Sequence, residues 1–403
     1  MKYKNLPITF LTTFGHCGLD WIHSLLDSHP QILIMPALSF YRCWKMLKAN
    51  SATNVPDMYR RWHQYISGYV GPEIQNEQKR FLHSPQEMER FFPKFRELLE
   101  TSGIEKTNVF LAIHEAYAYA KQMDLGTKKI VISHEHISWP FAHILSDFPQ
   151  AKILMIIRDP RASCAGLFYG RTKHFGYLPD YTFNITLDCW FQGQDMWRKH
   201  RDSLGERLKI VKNEDMHVGL ESSMNEIAKW LSIDFSVSML HSSFPSGKQC
   251  LPDSLYLEKG KPIQSEETYY LPENVKKRWM KELKDPKEIL MIEVLFKDIF
   301  KEFGYKRMTK DTYLSRIQGL VFYLLPHRGQ VKRWLGQYPD IEEFVRIEER
   351  LQSSKLIIMS RIWKLIPKQI KFVCLMAHSI LRRVNIYFFP GERWKRYDLP
   401  IQL

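Results

Sequence analysis

The sequence predicts an α/β fold, a parallel sheet flanked by helices, on three observations. Short β-branched runs alternate with amphipathic helical patterns in the amino-terminal part. Near the start, a strand pattern passes through a glycine-punctuated turn into a helix pattern. Further on, a buried strand pattern stops abruptly at Arg158-Asp-Pro-Arg161. Strands are expected at 8–13, 129–133, 152–157 and 208–211.

Each element follows from its local pattern. In the first helix Leu19, Ile22, Leu25 and Leu26 make one apolar face, and Pro30 stops it. A long helical insertion rich in Tyr, Trp, Arg and Glu fills residues 39–126, a position suited to a substrate wall. A helix over 221–231 would bury Met224, Ile227, Ala228 and Leu231. A helix over 287–303 closes the first domain, expected to span 1–304. Residues 305–403 form a second expectation, a basic extension with amphipathic helices over 313–325 and 355–384, broken by Pro326 and Pro367.

Composition narrows the class. With 44% hydrophobic and 25% charged residues, the chain is an ordinary globular protein. This excludes a disordered tail, a collagen repeat and a multispanning membrane protein. Six cysteines stand scattered without a Cys-x-x-Cys pair, as in a reduced cytosolic protein without disulfides or zinc. The early apolar run, 8–14, passes into a Gly/His/Cys turn instead of a cleavage site. No stretch reaches the roughly 20 apolar residues of a spanning helix. A cytoplasmic location is therefore expected, with peripheral membrane contact left open. The net charge of +14 sits unevenly: residues 305–403 hold 19 Lys and Arg against 8 Asp and Glu. Such an extension suits an anionic surface, whether lipid, nucleic acid or acidic polymer, or is simply a solvated face.

The turn at 14–18 would aim backbone N–H groups and a positive helix end at an anion. The pattern GxxxxGK[ST] is absent, which weakens an ATP or GTP reading. The segment resembles the 5′-phosphosulfate loop of sulfotransferases, aromatic-Pro-Lys/Arg-Ser-Gly-Thr-Thr-Trp-Leu. Laid on it, Gly15 stands at the Pro, His16 at the Lys/Arg, Cys17 at the Ser and Gly18 at the Gly. Leu19 and Asp20 replace the two Thr, and Trp21 matches the Trp. The following Leu25-Leu-Asp-Ser-His-Pro-Gln-Ile32 resembles the helix end of bacterial carbohydrate-type members.

The strand Phe148-Pro-Gln-Ala-Lys-Ile-Leu-Met-Ile-Ile-Arg-Asp-Pro-Arg-Ala162 is similar to the 3′-phosphate motif of the same family. A guanidinium at the carboxyl end of a parallel strand points into the crevice where ligands sit, and its planar fork suits a phosphate. The resemblance implies that Arg158 grips the 3′-phosphate of the donor nucleotide. Gly166 stands where the family has a serine, leaving Ser163 or backbone N–H groups as substitutes. Counting back 22 residues from Arg158 reaches His136, the family's histidine general base, and 24 reaches His134, in its lysine's place. Histidine suits proton abstraction because it titrates near neutrality. Glu135 is a lesser candidate base, and a structural or metal-binding His-x-His is the bland alternative. Residues 208–216 look like the family's Val-Arg-Tyr-Glu-Asp-Leu strand, with Glu214 and Asp215 structural. Gly247 and Lys248 fall in a looser match to its loop over the nucleotide.

The resemblance, over roughly 7–304, implies a P-loop-like α/β enzyme. It would move the sulfuryl group of 3′-phosphoadenosine 5′-phosphosulfate to a hydroxyl, on a carbohydrate or glycolipid, without a metal. His16 and His134 would supply the positive charge that relatives take from fixed cations. The rivals are a non-catalytic nucleotide- or polyanion-binding protein of the same fold, a nucleotide kinase, and a nucleic-acid or membrane-surface protein driven by the extension.

Overall fold

The computed structural model describes residues 5–27, 29–35, 38–67, 82, 84–135, 141–166, 179–241 and 279–325, with nine more between 373 and 388. The chain divides into two compact units. The first comprises Met1–Arg158 and Met196–Lys276, and the second Asp159–Asp195 and Lys277–Leu403.

The first unit holds a five-stranded sheet of β1 (Ile8–Thr13), β2 (Ile32–Ile34), β3 (Ile130–His134), β4 (Lys152–Ile157) and β5 (Leu208–Lys212). Its order is β2-β3-β1-β4-β5 and every pairing is parallel. The expected parallel α/β architecture is therefore present, with one strand more than the sequence suggested. β2 has only three residues, too few to show a periodicity. β1 and β4 are buried on both faces; β4 reads as a continuous apolar run, as parallel strands do, while β1 also buries Thr9, Thr12 and Thr13.

Helix α1 (Leu19–Asp27) buries Leu19, Ile22, Leu25 and Leu26 as expected, and also Trp21, His23 and Ser24. The insertion between β2 and β3 folds as α2 (Phe40–Met46), α3 (Val55–Ser67), α4 (Pro85–Ser102) and α5 (Lys106–Ala120). Phe40 joins it to the sheet: its ring stacks on Trp62 of α3 at 5.5 Å and meets Phe110 of α5 edge-on at 5.1 Å. Phe110 in turn packs 5.7 Å from Phe10 of β1. Further helices of this unit are α6 (Phe141–Asp147), α9 (Asn213–Val218) and α10 (Leu220–Leu231), the last burying the four residues expected of it.

The second unit contains α7 (Pro160–Ala165), α11 (Trp279–Glu282), α12 (Pro286–Leu295), α13 (Lys297–Glu302) and α14 (Tyr313–Leu324), while α8 (Pro179–Leu204) begins in it. The expected helix over 287–303 breaks at Phe296, whose buried ring lies 5.3 Å from that of Trp190 and 5.2 Å from that of Phe191. Arg161 organises the interior. Its guanidinium meets Asp159 (2.7 Å) and the fully buried Glu293 (2.7 Å), donates to the Lys306 carbonyl (2.9 Å) and lies over the Trp279 ring. Glu293 also accepts the N–H groups of Met308 (2.8 Å) and Thr309 (2.9 Å). These bonds bind residues 306–309 to the helices before Gly304, so the chain chemistry does not pause at the charge boundary.

Candidate active site

The site grows from the end of β1. Thr13 and Ile156 are register partners, so β1 and β4 finish side by side. From β1 the chain turns to β2, beyond β3; from β4 it goes to β5, on the other side. This divergence is the switch point at which open α/β sheets bind ligands. The Thr13 hydroxyl donates to the Ile156 carbonyl (3.0 Å) and accepts from the Gly15 N–H (3.2 Å), pinning the turn to β4. Gly15 (φ 118°), His16 (φ 49°) and Gly18 (φ 88°) then take left-handed backbone, which reverses the chain into α1 within five residues. The Gly18 carbonyl accepts the first helical bond, from Ile22 (3.2 Å).

At Gly18 the absence of a side chain is required twice over. Besides the positive φ, a Cβ there would stand 2.2 Å from the Asn213 amide nitrogen. Asn213 is the first residue of α9, so the turn is held from β5 as well. Cys17 is fully buried and its thiol donates to the Gly15 carbonyl (3.1 Å). Burial pushes that thiol up to about 12, against the pull of Thr13 and the Arg158 charge. The side chain of Cys17 therefore serves the turn, and the backbone is what it can offer a ligand.

Arg158 follows β4 directly. Its Nε is buried and has no hydrogen-bond partner among the described residues. Close enough to feel its charge is His217 of α9, which burial and then Arg158 lower to about 4. The His217 ring stacks on that of Trp21 at 4.1 Å and 9°. A turn that presents backbone N–H groups, a helix amino end and a guanidinium with an unspent buried N–H together fit an anionic phosphate ligand.

His134 ends β3, beside Leu11 of β1. Its side chain is fully buried, with Nδ1 2.9 Å from His23 Nδ1 and Nε2 3.6 Å from an Asp20 carboxylate oxygen. One proton must lie between the two Nδ1 atoms, so one imidazole donates to the other. Burial, then the His134 charge, lower His23 to about 3 against the opposing pull of Asp20. His134 thus has a partner at each ring nitrogen, both from α1. Glu135 is turned to structure: it accepts the N–H of Tyr41 (3.3 Å) at the start of α2, with the Phe40 N–H beside it. Burial still holds its carboxyl up at about 8.

His136, Gly247 and Lys248 lie outside the described residues. In the second unit, the buried Ser163 hydroxyl accepts the Trp190 indole N–H (2.8 Å). Gly166 has helical backbone, and a Cβ there would meet no atom within 4 Å. The two arginines of Arg-Asp-Pro-Arg have therefore parted: Arg161 is spent on Asp159 and Glu293, while Arg158 keeps an unpartnered N–H. His23, Asn213 and His217 were not foreseen from sequence. His23 shares the apolar face of α1, and a histidine there reads as ordinary core.

The sulfotransferase family model matches residues 7–237, more than half of the chain. Among solved structures, the sulfotransferase domain of the curacin biosynthetic pathway is 12% identical, with a TM-score of 0.44, covering 75% of this chain and 98% of its own. The sulfotransferase domain of the Synechococcus PCC 7002 olefin synthase is 15% identical (TM-score 0.42; 74% and 95% covered). The mouse sulfotransferase SULT7A1, complexed with PAP, is 13% identical (TM-score 0.35; 78% and 89% covered). No curated protein sequence matches. The family match runs from the residue before β1, through the glycine turn and Arg158, to beyond α10, and on that ground the chain belongs to the sulfotransferase family, enzymes of sulfuryl transfer.

Proposed function

We propose that this sulfotransferase takes the sulfuryl group of 3′-phosphoadenosine 5′-phosphosulfate and passes it to a hydroxyl of a carbohydrate or glycolipid. The observation behind the nucleotide assignment is the unpartnered Nε of Arg158 beside the turn Gly15–Gly18. The donor supplies an activated sulfuryl group on a phosphate leaving group. The protein's own part is to bind and orient. The N–H groups of His16, Cys17, Gly18, Leu19 and Asp20, with the amino end of α1, hold the 5′ end, while Gly15, whose N–H is held by Thr13, shapes the turn around it. Arg158 holds the 3′-phosphate, and Ser163, Gly166, Gly247 and Lys248 keep their sequence assignment to the same nucleotide. His136 accepts the proton of the acceptor hydroxyl as its oxygen bonds to sulfur and the bond from sulfur to the bridging phosphate oxygen breaks. His16 and His134 are assigned the charge that develops on that oxygen. The insertion α2–α5 is the candidate acceptor wall.

Thermal-shift titration with 3′,5′-diphosphoadenosine tests the donor site, since a ligand of the folded state raises the midpoint. Turnover of labelled donor by His136→Ala tests the base, with a fall of about 10²–10⁴-fold expected and nucleotide affinity retained. A second reading, nucleotide binding without turnover, is favoured by one observation: both ring nitrogens of His134 already face α1. Retained nucleotide binding with no labelled product in the wild type would select it.

A further inference from the structure

Of the fourteen large apolar side chains exposed among the described residues, nine lie after Gly304, a stretch that supplies few of those residues. They are ordered. On α14, Leu314, Ile317 and Val321 recur at helical spacing, with Leu325 just past its end, exposed by 63%, 41%, 44% and 50%. The opposite face of α14 is the packed one. Gly319 sits so close to α12 that a Cβ would stand 2.7 Å from the Val294 side chain, and Tyr323 is buried. A second exposed pair, Leu381 and Phe388, lies seven residues apart on helical chain. That segment is fastened to the end of α14 by Arg383, which is buried and donates to the carbonyls of Tyr323 (2.8 Å) and Leu325.

The same stretch holds the positive charge, 19 Lys and Arg against 8 Asp and Glu, with exposed Lys306 and Lys310 just before the stripe. The partner must therefore be both anionic and able to cover aliphatic side chains. A nucleic acid satisfies only the first condition, because its phosphates would leave Leu, Ile and Val in water. A second copy satisfies only the second, since like charges would meet. An anionic lipid surface satisfies both. α14 spans about 18 Å at 1.5 Å per residue, short of the roughly 30 Å hydrocarbon core. Among the described residues no helix is long and apolar enough to cross a membrane. We infer that the Leu314–Leu325 stripe, with Leu381 and Phe388, is a docking face for the surface of an anionic bilayer. The apolar side chains enter the interface while Lys306 and Lys310 beside the stripe meet lipid phosphates and the net charge of the stretch adds to the attraction.

The test is co-sedimentation of the full chain with vesicles of phosphatidylcholine alone and of phosphatidylcholine with phosphatidylglycerol, in the absence of nucleotide. Binding is expected with the anionic vesicles and little with the neutral ones. Raising salt from about 0.1 M to about 1 M shortens the screening length from about 10 Å to about 3 Å and should release most of the protein. Ile317→Asp with Val321→Asp should lower the bound fraction about tenfold or more. Both side chains are substantially exposed, so the melting temperature and diphosphoadenosine binding should stay as in wild type. The inference is overturned if wild type ignores anionic vesicles or if the double variant binds them undiminished. It is also overturned if sedimentation velocity shows a wild-type dimer that the variant abolishes while vesicle binding persists. Because no donor or acceptor is present, the result stands apart from the nucleotide assignment.

Discussion

Replacing Gly18 by alanine adds one methyl group at the tightest point of the turn between β1 and α1. Two costs follow from the structure. A non-glycine residue at φ 88° loses about 1–2 kcal/mol to the clash of its Cβ with backbone. The methyl would also stand 2.2 Å from the Asn213 amide, and Asn213 is buried, so overpacking adds about 1–3 kcal/mol. Gly18→Ala should thus destabilise the first unit by about 2–5 kcal/mol, read as a lower urea midpoint at unchanged slope. The two costs separate in a double-mutant cycle with Asn213→Ala, which removes the obstructing amide and leaves the backbone strain. Alanine at 18 should then cost only about 1–2 kcal/mol. Diphosphoadenosine affinity should fall in the single variant and partly return in the double. A Gly18→Ala protein within about 0.5 kcal/mol of wild type, or an equal cost in both backgrounds, would refute the geometry of the turn.

Arg158→Ala should weaken 3′,5′-diphosphoadenosine by roughly 1.5–3 kcal/mol, the scale of a hydrogen bond to a charged group, and leave adenosine 5′-phosphate unchanged by calorimetry; equal losses would point to a damaged fold. His23→Leu takes away one partner of a buried pair and should cost about 1–3 kcal/mol. Imidazole NMR should show the His134 Nδ1 resonance shifted, and His23→Asn, which keeps a polar partner, should recover part of the loss. Truncation after Gly304 removes the Met308 and Thr309 donors from Glu293 and the Lys306 carbonyl from Arg161. Faster proteolysis of the second unit is expected, and a truncated protein as resistant as the full chain would support the boundary at Gly304. Stability should peak near pH 6.5. Glu135 and Asp27, both raised to about 8 by burial, stay protonated when folded but ionise when unfolded, so their contribution falls from about pH 4 to 8 and acts unopposed above 6.5. His23, His114 and His217, lowered to about 3, 4 and 4, are neutral when folded and charged when unfolded below 6.5; the three outweigh the two carboxyls, so stability also falls below 6.5. Glu135→Gln should flatten the alkaline side in pH-dependent melting.

Much of the frame was legible because parallel strands buried on both faces are written as apolar runs. Of the four expected strands, β1 and β4 coincide with their observed bounds, and β3 and β5 lie within one residue of theirs. The site was legible where chemistry interrupts such a run, at Gly15, Gly18 and Arg158. What stayed hidden depends on contacts across the fold. Asn213 meets Gly18 from 195 positions away, and nothing in either segment announces the other. Nothing in the Arg158-Asp-Pro-Arg161 segment shows what Arg161 does; its role appears only because Glu293, far along the chain, claims it. His134 read as a free cation at a strand end, since its partner His23 sits among leucines where a helix face looks purely structural.

The placement of the insertion between β2 and β3 has a consequence for how relatives of this chain can vary. The two strands are parallel neighbours, so the chain leaving the top of β2 must return to the bottom of β3 before it can pair. α5 alone can make that journey: its 15 residues span about 22 Å, against about 17 Å for a five-residue strand. α2, α3 and α4 are then topologically optional. Shortening, lengthening or replacing them leaves strand order and register intact, provided α5 and the Glu135 contact to whatever follows β2 are kept. Variation in length should accumulate in residues 40–102, whereas the return helix should tolerate substitution but not deletion.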